Sequence, residues 1–181
     1  MKINALRASA FFVIFCLSIP AAGQVRYHDW TTAISDDRSS ISASNVNADG
    51  SILMETCTVQ SRTCFWIMGG STVCEKGVTS PALVNSDKYA GSINLNCVGD
   101  IGDGLYAYAF ADWKSLEHLI KDSKYVGIAV AIGDTQFKVF RFSLLGMAEA
   151  QRRAEKSFRS MLERDSKAAR PQTQPVGETI L

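Results

Sequence analysis

A chain of 181 residues, 46% of them hydrophobic, carries enough apolar surface for one buried core and too little length for two. Its 19 lysines and arginines stand against 18 acids, a formal net charge of +1, so no long-range field draws it to nucleic acid or to an anionic membrane surface. Nucleic acid is therefore excluded as an expected partner.

Residues 1–23 form the first predicted element, an export signal. Lys2 and Arg7 flank the start of an uncharged run, Ala8 to Ile19, rich in phenylalanine, and Pro20 breaks it. Ala21-Ala22-Gly23 then supplies the small residues a signal peptidase reads, which predicts cleavage before Gln24. At about a dozen residues the apolar run falls short of the ~20 a membrane-spanning helix needs, so no stable membrane insertion is expected once the signal is removed. Cys16 does not read as a lipid-attachment site, because bulky Phe15 precedes it and the apolar run continues past it.

From Val25 to Phe142 short strand-like runs alternate with turn chemistry, the mark of an antiparallel β domain. Tyr27 to Ser35 opens it with Trp30 as inward anchor, and Asp36-Asp37-Arg38-Ser39-Ser40 is a polar turn. Ile41 to Val46 follows, closed by Asn47-Ala48-Asp49-Gly50, whose Asp-Gly pair accepts positive φ. Ile52 to Thr58 and Thr63 to Met68 are two strands joined by Val59-Gln60-Ser61-Arg62. Without the signal, Cys57, Cys64, Cys74 and Cys97 remain, an even set that predicts disulfides. Three connectivities are open to four cysteines; the hairpin, by setting Cys57 across from Cys64, favours Cys57 with Cys64 and Cys74 with Cys97. In the chain-entropy model the shorter loop contributes about 2.5 kcal/mol and the longer about 3.4 kcal/mol.

Phe65-Trp66-Ile67-Met68 is apolar on both faces and is expected as a central, buried strand. Gly69-Gly70 ends it, Thr72 to Lys76 continues the sheet, and the chain turns around Pro81 before the short run Ala82-Leu83-Val84. Ser92 to Val98 alternates, with Ile93, Leu95 and Cys97 inward. The glycine-rich stretch Gly99 to Gly104 leads to Leu105–Phe110, which places Tyr106, Tyr108 and Phe110 on one face. Asp112 caps a short helix over Trp113 to Asp122 that plugs an open end of the β structure. Tyr125 to Ile132 and Gln136 to Phe142 form a hairpin about Gly133-Asp134. Ser143 caps a longer helix running to about Arg164, with Leu144, Met147, Ala154, Phe158 and Met161 on the stripe that meets the sheet. The domain is thus expected over residues 24–165. Residues 166–181, with Pro171 and Pro175 and few bulky apolar side chains, are expected as a disordered tail.

Chemistry-bearing residues are few. His28 stands beside Asp29 and His118 beside Glu117, but no serine or thiol lies in a nucleophile setting such as G-x-S-x-G. No zinc or other metal site is expected, since there is no C-x-x-C pair and both histidines lie far from the cysteines. Asp100 and Asp103 lack the later acids and terminal Glu of a calcium loop and read as turn residues. No cofactor is expected. The cations Arg152, Arg153, Lys156, Arg159 and Arg164 interleave with Glu149, Glu155 and Glu163 as on a solvated helix face. Candidate interaction residues are Tyr106 and Tyr108 on the aromatic strand, with Asn85 and Asp87, which either form a polar pocket lip or bond their own backbone.

Through Cys57-Thr58-Val59-Gln60-Ser61-Arg62-Thr63-Cys64 and Phe142-Ser143-Leu144-Leu145-Gly146-Met147-Ala148-Glu149-Ala150, the chain resembles the invasion-associated locus B family, small exported β proteins of Gram-negative bacteria. The resemblance implies a cysteine pair on a hairpin, an F-x-L-x-G-type step into a C-terminal helix, and host or envelope interaction; it implies no reaction. The expectation is a mainly β fold, an antiparallel β sandwich or open barrel, with a short helix and a C-terminal α-helix packed on it. Its expected role is that of an exported, periplasmic or secreted, non-enzymatic interaction protein with a protein partner in the envelope or outside the cell. The alternatives are a carrier holding a small apolar ligand between sheets and a hydrolase.

Overall fold

A computed structural model describes residues 24–132 and 136–168. The chain alternates polar and apolar residues with period two, and it forms strands wherever that pattern holds. In order these are β1 (Val25–Tyr27), β2 (Trp30–Ile34), β3 (Ser40–Val46), β4 (Ile52–Thr58), β5 (Thr63–Gly70), β6 (Thr79–Ser86), β7 (Ala90–Gly102), β8 (Leu105–Phe110), β9 (Tyr125–Ala131) and β10 (Phe137–Ser143), with α1 (Trp113–Ile120) before β9 and α2 (Met147–Ala168) last. They make one antiparallel sheet in the order β1-β2-β3-β4-β5-β8-β7-β6-β9-β10.

Register carries a single inner face across the sheet. Trp30 lies opposite Asn45, Glu55 opposite Trp66, Met68 opposite Tyr108, Leu95 opposite Phe110, and Ile128 opposite Phe140; all are buried. The sheet rolls toward that face until its ends approach. Trp30 Nε1 donates to the Ser143 carbonyl at 2.9 Å, the Asp29 amide to Leu145 at 3.2 Å, and Asn47 Nδ2 to Arg141 at 3.1 Å. No ladder joins the ends among the described residues, so the two halves face each other as sandwich layers of one open roll. Across the interior the Phe140 ring lies against Gly70, where an added Cβ would sit 2.5 Å from the ring.

Both helices cover the inner face. The Asp112 carboxylate accepts the Ser115 amide at 3.1 Å, and α1 buries Leu116, Leu119 and Ile120. On the other half of the roll, α2 lays Ala150, Ala154, Phe158 and Met161 against β1 to β4. Cys57 is bonded to Cys64 between neighbouring strands, and Cys74 to Cys97. Among the described residues no helix is long and apolar enough to cross a membrane.

Several local expectations differ from the structure for physical reasons. The opening strand is two, because His28, at φ +50°, turns the chain between Tyr27 and Trp30. Thr72 to Lys76 forms no strand; it is held by the Cys74–Cys97 bond and by the Tyr108 hydroxyl, which donates to the Thr72 carbonyl at 2.8 Å. Pro81 lies inside β6 rather than at a turn, and β9 pairs only from Ala82 onward, so no ladder partner on that side requires its missing N–H. Gly99 to Gly102 extends β7 through two register shifts instead of forming a loop. Ser143 ends β10 and does not cap α2; the helix begins after Gly146, at φ +87°, where any Cβ would run into the Tyr27 carbonyl. It continues to Ala168, past Arg164. Residues 166–168 of the expected tail belong to α2, and the export signal, the Gly133-Asp134 turn and the expected tail from residue 169 lie outside the described residues.

Candidate functional site

Since both helices lie on the inner face, no described element covers the outer face of β6, β9 and β10. There the outward positions of three adjacent strands align: Leu83 beside Ala129 and Val139, and Asn85 beside Gly127 and Arg141. Small residues on the central strand and larger ones on its neighbours make a trough along β9. It is a groove of about 760 Å³ whose lining includes Leu83, Asn85, Lys124, Tyr125, Gly127, Ala129, Val139, Arg141 and Leu145. Leu83, Tyr125 and Leu145 are each more than half exposed, at 56%, 58% and 51%. Phe137, at 61%, extends the apolar strip beyond the groove along β10. Such a contiguous uncovered apolar face marks an interaction site more often than isolated exposed side chains do.

The groove is polar at one end. Asn85, Arg141, Lys124 and Ser143 gather near Tyr125, while Leu83, Ala129 and Val139 form the apolar end. Neither Lys124 nor Arg141 forms an ion pair with a described residue, and no acid is among the lining residues. Asp87 stands beside this end, but its carboxylate accepts the Lys124 and Tyr125 amides at 2.7 and 3.4 Å. Those bonds, the Lys124 amide first, hold its pKa below the usual carboxylate value.

Of the four candidate interaction residues, only Asn85 lines the groove. Asp87 bonds backbone, fixing where β9 begins. Tyr108 is a correction: it is 2% exposed, on the inner face, with its hydroxyl engaged and its pKa raised by burial, so it presents no binding surface. Tyr106 shares that inner face and packs half-buried against the core. The groove's other residues were missed. A signal for them does exist: Tyr125 to Ala131 is apolar at outward as well as inward positions, and Phe137 and Val139 are apolar at outward positions of β10.

A second concavity, about 520 Å³, lies between α1 and α2 and is lined by Glu117, His118, Gln151 and Glu155 among others. Near it Glu55, on the inner face of β4, is 8% exposed and accepts Gln151 Nε2 at 2.9 Å. Burial raises its pKa above the usual glutamate value; the Gln151 bond works the other way, and the charges of Glu117 and Glu155 add to the rise. Oxygen and sulfur atoms of Glu55, Cys57 and Cys64 lie within 4.8 Å of one another, but both sulfurs are committed to the disulfide and offer no thiolate to a metal. His118 stacks on Tyr89 with ring centroids 5.3 Å apart, and His28 occupies the β1–β2 turn.

No protein-family model matches the chain, and no curated protein matches its sequence. The fold, however, is similar to a solved one. The crystal structure of invasion associated protein b from Bartonella henselae superposes with a TM-score of 0.50 over 74% of this chain and 96% of that one, at 13% identity, so the chain shares its β architecture with that protein.

Proposed function

We propose that the protein is an exported, non-enzymatic interaction protein of the bacterial envelope, periplasmic or secreted, which docks an extended segment of a partner protein in the groove along β9. The observation that carries this reading is the apolar trough that no described element covers, with two cations at one end that form no ion pair with a described residue. Two disulfides fit folding in an oxidising compartment, and residues 1–23 read as an export signal. The similar fold of the Bartonella protein, whose name ties it to invasion, supports the same class of role.

Groove width and charge select the occupant. The strands on either side of β9 stand about 10 Å apart, two strand spacings. Their side chains narrow that gap to an extended chain, whereas an α-helix with side chains is itself about 10–12 Å across. A second copy is disfavoured, since it would bring its own Lys124 and Arg141 to the same patch. The partner segment therefore carries apolar side chains and at least one carboxylate, placed against Arg141.

A photo-crosslinking amino acid at position 139, introduced into the protein in its native envelope, tests this. The expected result is a discrete protein adduct that is lost with Arg141→Glu or Leu83→Asp and absent when the crosslinker stands at Ser42, on the outer face of β3. No adduct, a lipid-sized adduct, a self-adduct, or equal adducts from position 42 would overturn it.

A further inference from the structure

Strand periodicity sets Glu55 and Cys57 on the same inner face of β4, and register sets Cys64 directly opposite Cys57. The Glu55 carboxylate consequently lies within 4.8 Å of both bonded sulfurs. The two sulfurs differ in surroundings: Cys57 is 1% exposed, while Cys64, directly opposite it, is half-buried. From this geometry we propose that Cys57–Cys64 is a site of thiol–disulfide exchange, in which an external dithiol attacks Cys64 and Glu55 carries the proton for Cys57.

In the opening direction a thiolate of the dithiol forms a bond to Cys64 Sγ. The Cys57–Cys64 bond breaks with its electron pair on Cys57 Sγ, and the Glu55 carboxylic acid passes its proton to that sulfur. The dithiol's second thiolate then attacks its partner sulfur in the mixed disulfide and releases the Cys64 thiolate, so the reagent ends oxidised and the protein bond reduced. Closing runs the steps backward, the Glu55 carboxylate taking the Cys57 proton as the thiolate attacks. A thiolate set free at a fully buried position is a poor leaving group, and a proton delivered on departure removes that penalty.

The charged neighbours agree with this role. Burial disfavours the ionised form of Glu55 most, the bond from Gln151 on α2 works the other way, Glu117 from α1 and Glu155 from α2 add smaller contributions in the direction of burial, and Trp66 lies opposite it on β5. The net effect is a raised pKa, which holds the proton to higher pH than on an ordinary glutamate.

The test is reduction of the purified mature protein by dithiothreitol between pH 5 and 9. Free thiols are alkylated at intervals, and each disulfide is followed by peptide mass spectrometry. Rates are expressed per reagent thiolate. The expected result is a rate at Cys57–Cys64 that falls about tenfold as Glu55 loses its proton, no such step in Glu55→Gln, and no step at Cys74–Cys97 in either protein. A limiting monothiol should leave its first adduct on Cys64. Absence of the step in the unmodified protein, the same step at Cys74–Cys97, its persistence in Glu55→Gln, or a first adduct on Cys57 would each overturn the proposal. Should Glu55→Gln not fold, the contrast between the two bonds in the unmodified protein still decides it.

Discussion

The indole N–H of Trp30 donates to the carbonyl of Ser143 at 2.9 Å, joining residues 113 positions apart and tying the second strand to the end of the tenth. Trp30 is fully buried and meets Trp66 edge-on, ring centroids 6.0 Å apart. Trp30→Phe would leave a seam carbonyl without this donor and shrink a packed side chain, an expected loss of about 2–4 kcal/mol in urea unfolding. Trp66→Phe loses a longer bond, 3.5 Å to Glu117, and should cost less. Equal losses would mean that the seam bond is not what makes Trp30 special.

Gly70 and Phe140 meet across the interior with no room for a methyl group. Gly70→Ala is expected to destabilise by about 1–3 kcal/mol through overpacking. Phe140→Leu should cost stability alone yet recover part of the loss in the double variant, giving a favourable coupling in a double-mutant cycle. Simple additivity would show that the two sites do not press on each other.

The two disulfides close loops of different length, with sequence separations of 7 and 23. Replacing Cys74 and Cys97 together by alanine should cost about 3.4 kcal/mol, against about 2.5 kcal/mol for Cys57 and Cys64. Equilibrium unfolding without reductant measures both. The opposite order would count against loop entropy as the main contribution.

Glu55 sets a pH dependence of known sign. Its pKa in the folded protein is raised above the usual 4.5, so the fold favours the protonated form. Its contribution to stability is fully present below the unfolded value, declines as pH rises through the folded value, and then levels. Glu55→Gln should remove that decline and be the more stable protein at neutral pH relative to its own stability at pH 4. Asp87 titrates with the opposite sign, its lowered pKa adding stability that is lost in acid, so the Glu55 effect is read as a difference between the two proteins. Parallel stability profiles would sink the assignment.

Much of the architecture was legible along the chain, because hairpin signals are local. Asp49-Gly50 marks the β3–β4 turn, and the strands around Val59 to Arg62 bring Cys57 opposite Cys64 by register alone. The α1 cap at Asp112 needed only three neighbouring residues. Gly146 was harder: its left-handed φ serves a close approach to Tyr27, more than a hundred residues earlier in the chain, and so α2 starts later than Ser143.

The sequence by itself determined which side chains share a face and favoured Cys57 opposite Cys64, since both follow from a two-residue period and a short turn, whereas the closure of Cys74 on Cys97, 23 positions apart, was decided by the tertiary structure. Only the tertiary structure decided which face would be covered. Tyr106 and Tyr108 turned inward once the roll closed, while Leu83, Ala129 and Val139 became neighbours through the β6–β9–β10 pairing. Alternation carries no information on strand order or on where the helices will dock. The groove depends on both, because β6 and β10 come from distant segments and both helices settled on the opposite side.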